Sequence, residues 1–413
     1  VPICLAGPSL KGVKNQIAAK KKHVTKQSTV LQNLERIVHQ SVHQMTTCLP
    51  QPPKTSPLYS IFEKLDAQER LSSEDALHLL LLTNKEDQRT LWNFADQVRK
   101  QRVGDTVYYS STLYLYPTNF CDFSCKFCSF YAKPGDPKGW LYSPDDLLQQ
   151  IQNIKTPITE VHIVGGCFPS CNLQYYSDLF TKIKEYDPQI HIKALTAIEY
   201  AYLSDLDNLS IRDVLLTLKD AGLDSIPGGG AEILVDKIRN FLAPKRLSSS
   251  DFLNIHKMAH QLGIHSNITM LCYHKEGPED LVTHMVKVRD LQDETQGFKN
   301  FILLKFAQEN NVLGKRLRKS GQGHAIPLKS LMAVARIFLD NFSNMKALWN
   351  YLGIEAALDL LSCGANDLSS THMGEKVFQM ASSKEPIKMD AEGMAALITQ
   401  QGRTPCLTNS SHV

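Results

Sequence analysis

Three cysteines spaced Cys121-x3-Cys125-x2-Cys128 lie within the segment TNFCDFSCKFCSFY. Three thiolates on one short loop can hold three corners of an iron–sulfur cube, which leaves the fourth iron without a protein ligand. An open metal position is a chemical site, whereas a fully ligated one is structural or carries electrons. The same residues also read as part of a zinc site. Such a site needs a fourth ligand, and Cys167 and Cys171 offer one at a spacing looser than a zinc knuckle. Free thiols and, in a secreted chain, disulfides are the remaining readings.

Other chemistry-bearing residues follow strand-like runs. Gly165-Gly166 ends EVHIVGG, where glycine permits close backbone approach and a positive φ, or marks a simple tight turn. Glu199 closes HIKALTAIE, either as a carboxylate for ligand hydroxyls or as a solvated helix-start glutamate. Gly228-Gly229-Gly230 with Glu232, in LDSIPGGGAEI, reads as a cradle opening a helix or as a flexible turn. His274 and Glu276, after ITMLCY, form a pair suited to proton transfer or to a surface loop. Arg289 reads as structural, and Trp92, Trp140 and Trp349 as packing residues.

The elements that must position these residues alternate. Strand-like runs fall at 107–116, 160–164, 190–196, 223–226, 264–271 and 300–306. Amphipathic stretches lie between them, which predicts a parallel sheet covered by helices. Six successive units fit a TIM-type barrel, complete or partial, better than an open nucleotide-binding sheet; barrel chemistry sits at the carboxyl ends of the strands, where the cysteines and glycines fall. Residues 57–105 read as a helical lead-in with Ser72 or Ser73 as an N-cap, 106–313 as the barrel core, and 314–413 as an all-helical extension. Residues 1–56 read as a basic, poorly ordered extension, with eight Lys/Arg against Glu35 up to residue 55.

Composition narrows the class. The 413 residues are 43% hydrophobic and 21% charged, ordinary for a globular protein, and the net charge of +3 gives no reason to expect nucleic acid as a partner. Ten unevenly clustered cysteines favour a reducing compartment with a metal site. No apolar run approaches the roughly 20 residues of a membrane helix.

Taken together, YPTNFCDFSCKFCSFY, ITEVHIVGG, HIKALTAIE, AGLDSIPGGGAEI, LQDETQGF and GANDL resemble the menaquinone and F420 branch of the radical S-adenosylmethionine (SAM) enzymes. The segment ERLSSEDALHLL is similar to that family's helical lead-in, and the resemblance covers about residues 57–380. Three members compete: aminofutalosine synthase, the dehypoxanthine futalosine cyclase and the F420 side-ring synthase subunit. The run His191 to Glu199, with Trp349 to Gly353, is most similar to the first.

The resemblance implies a cytosolic enzyme with a radical SAM barrel. Cys121, Cys125 and Cys128 would ligate a 4Fe–4S cluster, with Phe127, Gly165, Gly166, Glu199, Gly229 and Glu232 around SAM. SAM would be consumed as co-substrate, and the partners would be a small-molecule substrate and an electron donor such as flavodoxin or ferredoxin. The chain departs from the family at Cys167-Phe168, at Cys272-Tyr273 and at Ala307-Gln308, where relatives carry histidines or glycine; the resemblance puts these changes on the substrate face.

Overall fold

The computed structural model describes residues 52–67, 69–320, 326–382 and 387–412. Most of the expected basic extension, residues 1–51, lies outside them. Three helices lead in: α1 (Tyr59–Asp66), α2 (Ser73–Leu80) and α3 (Lys85–Val103). The α2 helix starts with a capping box, in which the Ser72 hydroxyl accepts from the Asp75 amide and the Asp75 carboxylate accepts from the Ser72 amide. Glycine 104 ends α3 at φ +63°, a conformation most side chains avoid.

The sheet then begins. Its strands are β1 (Thr106–Ser110), β2 (Thr112–Leu115), β3 (Glu160–Ile163), β4 (His191–Ala194), β5 (Ser225–Ile226), β6 (His265–Cys272), β7 (Phe298–Lys305), β8 (Asn344–Ala347), β9 (Asp367–Ser370) and β10 (Thr404–Thr408). They form one sheet in the order β10-β1-β9-β8-β7-β6-β5-β4-β3-β2, with every pairing parallel. The connecting helices are α4 (Pro144–Gln152), α5 (Leu173–Tyr186), α6 (Ala197–Asp207), α7 (Ile211–Asp220), α8 (Asp236–Leu242), α9 (Ser249–Gln261) and α10 (Pro278–Thr295). Beyond β7 come α11 (Val312–Ser320), α12 (Leu328–Phe338), α13 (Trp349–Leu352), α14 (Ile354–Leu360), α15 (Val377–Ala381) and α16 (Ala391–Gln400).

The sheet curls into a partial TIM-type barrel. The expected single strand over 107–116 is broken at Ser111, where the chain steps from β1, between β10 and β9, to β2 at the opposite edge of the sheet. Residues following β9 span the gap: the Met373 amide donates to Thr112 O at 3.1 Å, and the Tyr114 amide donates to Met373 O at 2.8 Å.

The all-helical reading past Gly314 is corrected. Three strands lie there, and 345–362, read as one helix, is the end of β8 followed by the short α13 and α14. A four-residue buried strand shows too few turns of its period to be told from part of a buried helix. The helix expected over 327–340 is present as α12; it packs beside α3, and Ser330 to Phe338 are all buried.

Strand alternation sorts the side chains. Leu113, Leu115, Val161, Ile163, Ile192 and Ala194 are buried in the apolar core. Their neighbours Thr112, Glu160 and Lys193 meet one another, with Thr112 Oγ1 to Glu160 at 2.7 Å and Lys193 Nζ to Glu160 at 2.6 Å. At this level the barrel interior holds a buried polar cluster, where such barrels are usually packed with branched aliphatics.

Candidate active site

The cysteine loop leaves the carboxyl end of β2 and is held by backbone bonds. The Cys121 amide donates to Ala132 O, Asp122 to Cys167 O, and Lys126 to Leu242 O. Lys133 Nζ donates to the carbonyls of Cys121, Asp122 and Phe123 at 2.6 to 3.2 Å, which gathers that turn on one cation. Cys121, Cys125 and Cys128 all line one cavity of about 290 Å³ at this end of the barrel.

Their electrostatics differ. A hydrogen bond with the Cys167 thiol, working against burial, pulls Cys121 down to about 6. Burial pushes Cys125 up to about 11 and also raises Cys128. Arg246 faces these thiols and is balanced by Glu232, 3.0 Å away.

Gly165 and Gly166 also line the cavity, and neither has a positive φ. Their requirement is close approach instead. A Cβ on Gly166 would stand 2.0 Å from Phe120 O, and one on Gly165 2.9 Å from Thr118 O, both backbone atoms of the cysteine loop. Glu199 sits in the first turn of α6 and is buried, not solvated. One oxygen accepts from the Gly165 amide at 2.9 Å, the other from the Thr196 amide at 2.7 Å and hydroxyl at 2.8 Å. Burial outweighs those donors and raises the Glu199 carboxyl to about 7.

The three glycines do not open a helix, since α8 begins only at Asp236. They form a turn in which Gly230 has φ +89°, and Glu232 follows at φ +43°. A Cβ on Gly229 would meet only Thr196 Cγ2, at 3.3 Å, so this turn keeps its open side toward the cavity that Gly229 lines.

His274 and Glu276, expected to do proton transfer, do not line the cavity. Both are buried: His274 Nδ1 lies 3.1 Å from Glu276, the Tyr273 and His274 amides donate to that carboxylate, and His274 Nε2 faces Leu271 O at 2.9 Å. The pair braces the loop after β6. Phe168, Tyr273 and Ala307 are likewise outside the lining, whereas Cys167 is within it. Arg289 stacks on the Phe338 ring at 3.8 Å and donates to Leu71 O, a packing role as expected.

Sequence reasoning missed much of the cavity: Arg246, His162, Lys193, Lys346, Tyr351 and Glu375. The two strand lysines had a signal, since each sits between aliphatic neighbours of a buried strand and so must face inward. Glu375, raised to about 7 by burial, lies in a loop with no pattern to mark it.

The residues present fit a cluster with an open iron. The donor set is three soft thiols on one loop that all line one cavity. Among the described residues no three His, Cys, Asp or Glu side chains converge on a single-ion site. A cluster spreads its ligands over several irons, so its thiolates need not converge. The described cysteines are free thiols.

Residues 115–288 match the radical SAM superfamily model, and residues 295–412 match the CofH/MqnC C-terminal region. The chain belongs to the radical SAM superfamily and is a radical SAM enzyme, a class that uses a 4Fe–4S cluster and SAM. It is 37% identical to the aminodeoxyfutalosine synthase of Thermus thermophilus over 84% of this chain and 93% of that one. It is 34% identical to a 5-amino-6-(D-ribitylamino)uracil–L-tyrosine 4-hydroxyphenyl transferase of Methanococcoides burtonii, over 81% of this chain and 93% of that one. Among solved structures, methylornithine synthase superposes with TM-score 0.67 at 16% identity, covering 84% of this chain and 97% of that one. The maturase HydG of Carboxydothermus hydrogenoformans does so with TM-score 0.67 at 17% identity, over 93% and 85% of the two chains. These structures share the fold. Among the described residues no helix is long and apolar enough to cross a membrane.

Proposed function

We propose that the protein is an aminodeoxyfutalosine synthase. It would add the 5′-deoxyadenosyl group of SAM, with methionine released, to the enol-ether double bond of 3-[(1-carboxyvinyl)oxy]benzoate; breaking the aryl–oxygen bond as the ring moves to carbon, with loss of the carboxyl carbon, would give 6-amino-6-deoxyfutalosine. The observation that carries this reading is the 37% identity to such a synthase across nearly the whole of both chains.

When bound, the cluster and SAM supply an electron and a carbon-centred radical, which is the hard chemistry of the reaction. The chain's own residues bind and orient. Cys121, Cys125 and Cys128 would hold three irons, with the fourth left for SAM. Gly165 and Gly166 bring the strand-end backbone against the cysteine loop, and Glu199 ties that backbone to α6 through the Gly165 amide. Phe127 lies with its ring 5.8 Å from the Arg246 guanidinium and lines the cavity with Glu232 and Gly229, so an aromatic face and a balanced ion pair would flank SAM. Tyr114, Tyr116, Phe130 and Tyr351 give the rest of the cavity aromatic walls suited to a benzoate ring. A one-electron donor such as flavodoxin or ferredoxin would serve the cluster.

A second reading is supported by the 34% identity to tyrosine 4-hydroxyphenyl transferases. One experiment separates these and the cyclase. Reduced, reconstituted enzyme is given SAM with the enol-ether benzoate or, in a parallel reaction, with tyrosine and the ribitylaminouracil, and the products are read by mass spectrometry. An adenosyl–substrate adduct is expected; free 5′-deoxyadenosine with no adduct overturns the synthase reading, and turnover of tyrosine with the ribitylaminouracil supports the transferase instead.

A further inference from the structure

The floor of the cavity carries charge that the SAM-binding residues do not use. Lys193 of β4 and Lys346 of β8 both line it, and both are buried. Each is tethered from below. Lys193 Nζ donates to Glu160 at 2.6 Å and to Ser410 Oγ at 2.7 Å, while Lys346 Nζ meets Asp367 at 3.1 Å.

The two carboxylates are themselves occupied by protein. Glu160 also accepts from Thr112 Oγ1 at 2.7 Å and from the Ser410 amide at 2.8 Å. Asp367 accepts from the Ser369 amide at 2.6 Å and faces His412 Nε2 at 3.2 Å. The C-terminal residues thus close the amino end of the barrel beneath the pair.

An ammonium carries three donors. These contacts use two on Lys193 and one on Lys346, so donors remain on both for an oxygen in the cavity. Beside them, His162 also lines the cavity, and its Nδ1 is buried without a partner. Its ring stacks on Tyr114 at 4.7 Å between centroids. Burial, with Lys193 nearby, holds this imidazole neutral, so its ring adds a donor or acceptor and no charge. Buried polar groups are normally satisfied, so donors left over on two buried ammoniums that line a cavity mark where a ligand supplies the partner.

We propose that Lys346 and Lys193 form a carboxylate subsite on the cavity floor, beside His162 and across from the cysteine loop, and that it anchors an aromatic acid whose ring lies against Tyr114. The identity of that acid as a benzoate rests on the synthase reading; the subsite rests on the two buried lysines and the donors they have left. Anchored there, the ring sits in the aromatic part of the cavity and the rest of the substrate points toward the cysteines.

The test measures binding, not turnover. Full-length reconstituted protein with SAM is titrated with 3-hydroxybenzoate and with its neutral counterpart 3-hydroxybenzamide, followed by calorimetry. The acid is expected to bind saturably and the amide roughly ten- to hundredfold more weakly, the effect of losing charge-assisted hydrogen bonds. Lys346→Met should abolish the preference for the acid, and Lys346→Arg should keep it, with iron content and SAM binding unchanged in both.

If Asp367 left alone unfolds Lys346→Met, the double variant Lys346→Met/Asp367→Asn removes both charges and should show the same loss. Equal binding of acid and amide, no saturable binding of either, or a preference that survives in the folded variant overturns the proposal. If acid preference persists with its dependence on Lys346 but no adduct forms in the product assay, the synthase reading fails and the subsite stands for another carboxylate.

Discussion

Glu199 accepts a hydrogen bond from the Gly165 amide at 2.9 Å, across the gap between two neighbouring strand ends. The same carboxylate caps α6 through Thr196. One buried side chain therefore sets the height of the Gly165-Gly166 backbone against the cysteine loop. Replacing Glu199 with Ala leaves the part-buried Gly165 and Thr196 amides without their acceptor. A loss of about 1–3 kcal/mol per unsatisfied group is expected, with SAM affinity reduced as well. Glu199→Gln keeps one oxygen and should lose less of both, as read by urea unfolding and by SAM titration.

Gly166→Ala should damage stability and cofactor binding together. Its methyl group would stand 2.0 Å from Phe120 O and 3.0 Å from Cys121 Cβ, so the cysteine loop itself must move. Overpacking of this kind costs about 1–3 kcal/mol. Gly229→Ala meets only Thr196 Cγ2, at 3.3 Å, and should retain its melting temperature while weakening SAM binding. Equal melting temperatures for the two variants would contradict this account.

Cys125→Ala should abolish the cluster and SAM cleavage while the barrel stays folded. The Cys125 carbonyl still accepts from the Cys128 amide in the variant, so the loop keeps that turn. Iron and sulfide analysis with circular dichroism reads both halves of the prediction. Unchanged iron content and turnover would remove Cys125 from the ligand set.

Lys193→Met should unfold the protein more readily than a surface change would. Its ammonium is buried against Glu160, and removing one member of a buried pair costs about 3–5 kcal/mol because the other charge is left uncompensated. The double variant Lys193→Met/Glu160→Gln should recover most of that loss in urea unfolding.

Glu375 gives a pH dependence with a definite sign. Burial raises its carboxyl to about 7, above the ordinary value of 4.5. Between those values the folded chain holds a proton that the unfolded chain has released, so this group's contribution falls as pH rises from 4.5 to 7 and is level beyond. Glu375→Gln should therefore raise the melting temperature at pH 8, by at most about 3 kcal/mol in free energy. It should leave the melting temperature nearly unchanged at pH 4.5. A variant less stable than the parent at pH 8 would contradict the burial argument.

Much of the frame was legible in the chain. The strands at 160–163 and 191–194 and the helices α5, α7, α9 and α10 fall close to where apolar periodicity puts them. Where strands end, short motifs with glycine or cysteine are visible locally, and Phe127, Gly165, Gly166, Glu199, Gly229 and Glu232 do line one cavity with the three cysteines. The break at Ser111 was hidden because it is a change of partner, which leaves no mark on periodicity. Strands β8 and β9 were hidden because four buried residues read alike in either period.

What the sequence by itself determined is the thiol loop, the parallel α/β order and the class of chemistry, because each is written in contiguous residues. Only the tertiary structure decided that His274 and Glu276 turn away into their own loop, that Arg246 stands over the thiols, and that Lys193 and Lys346 from strands 153 residues apart share one floor. Curling the sheet brings those side chains together, and a curl joins positions whose separation along the chain carries no record of their distance in space.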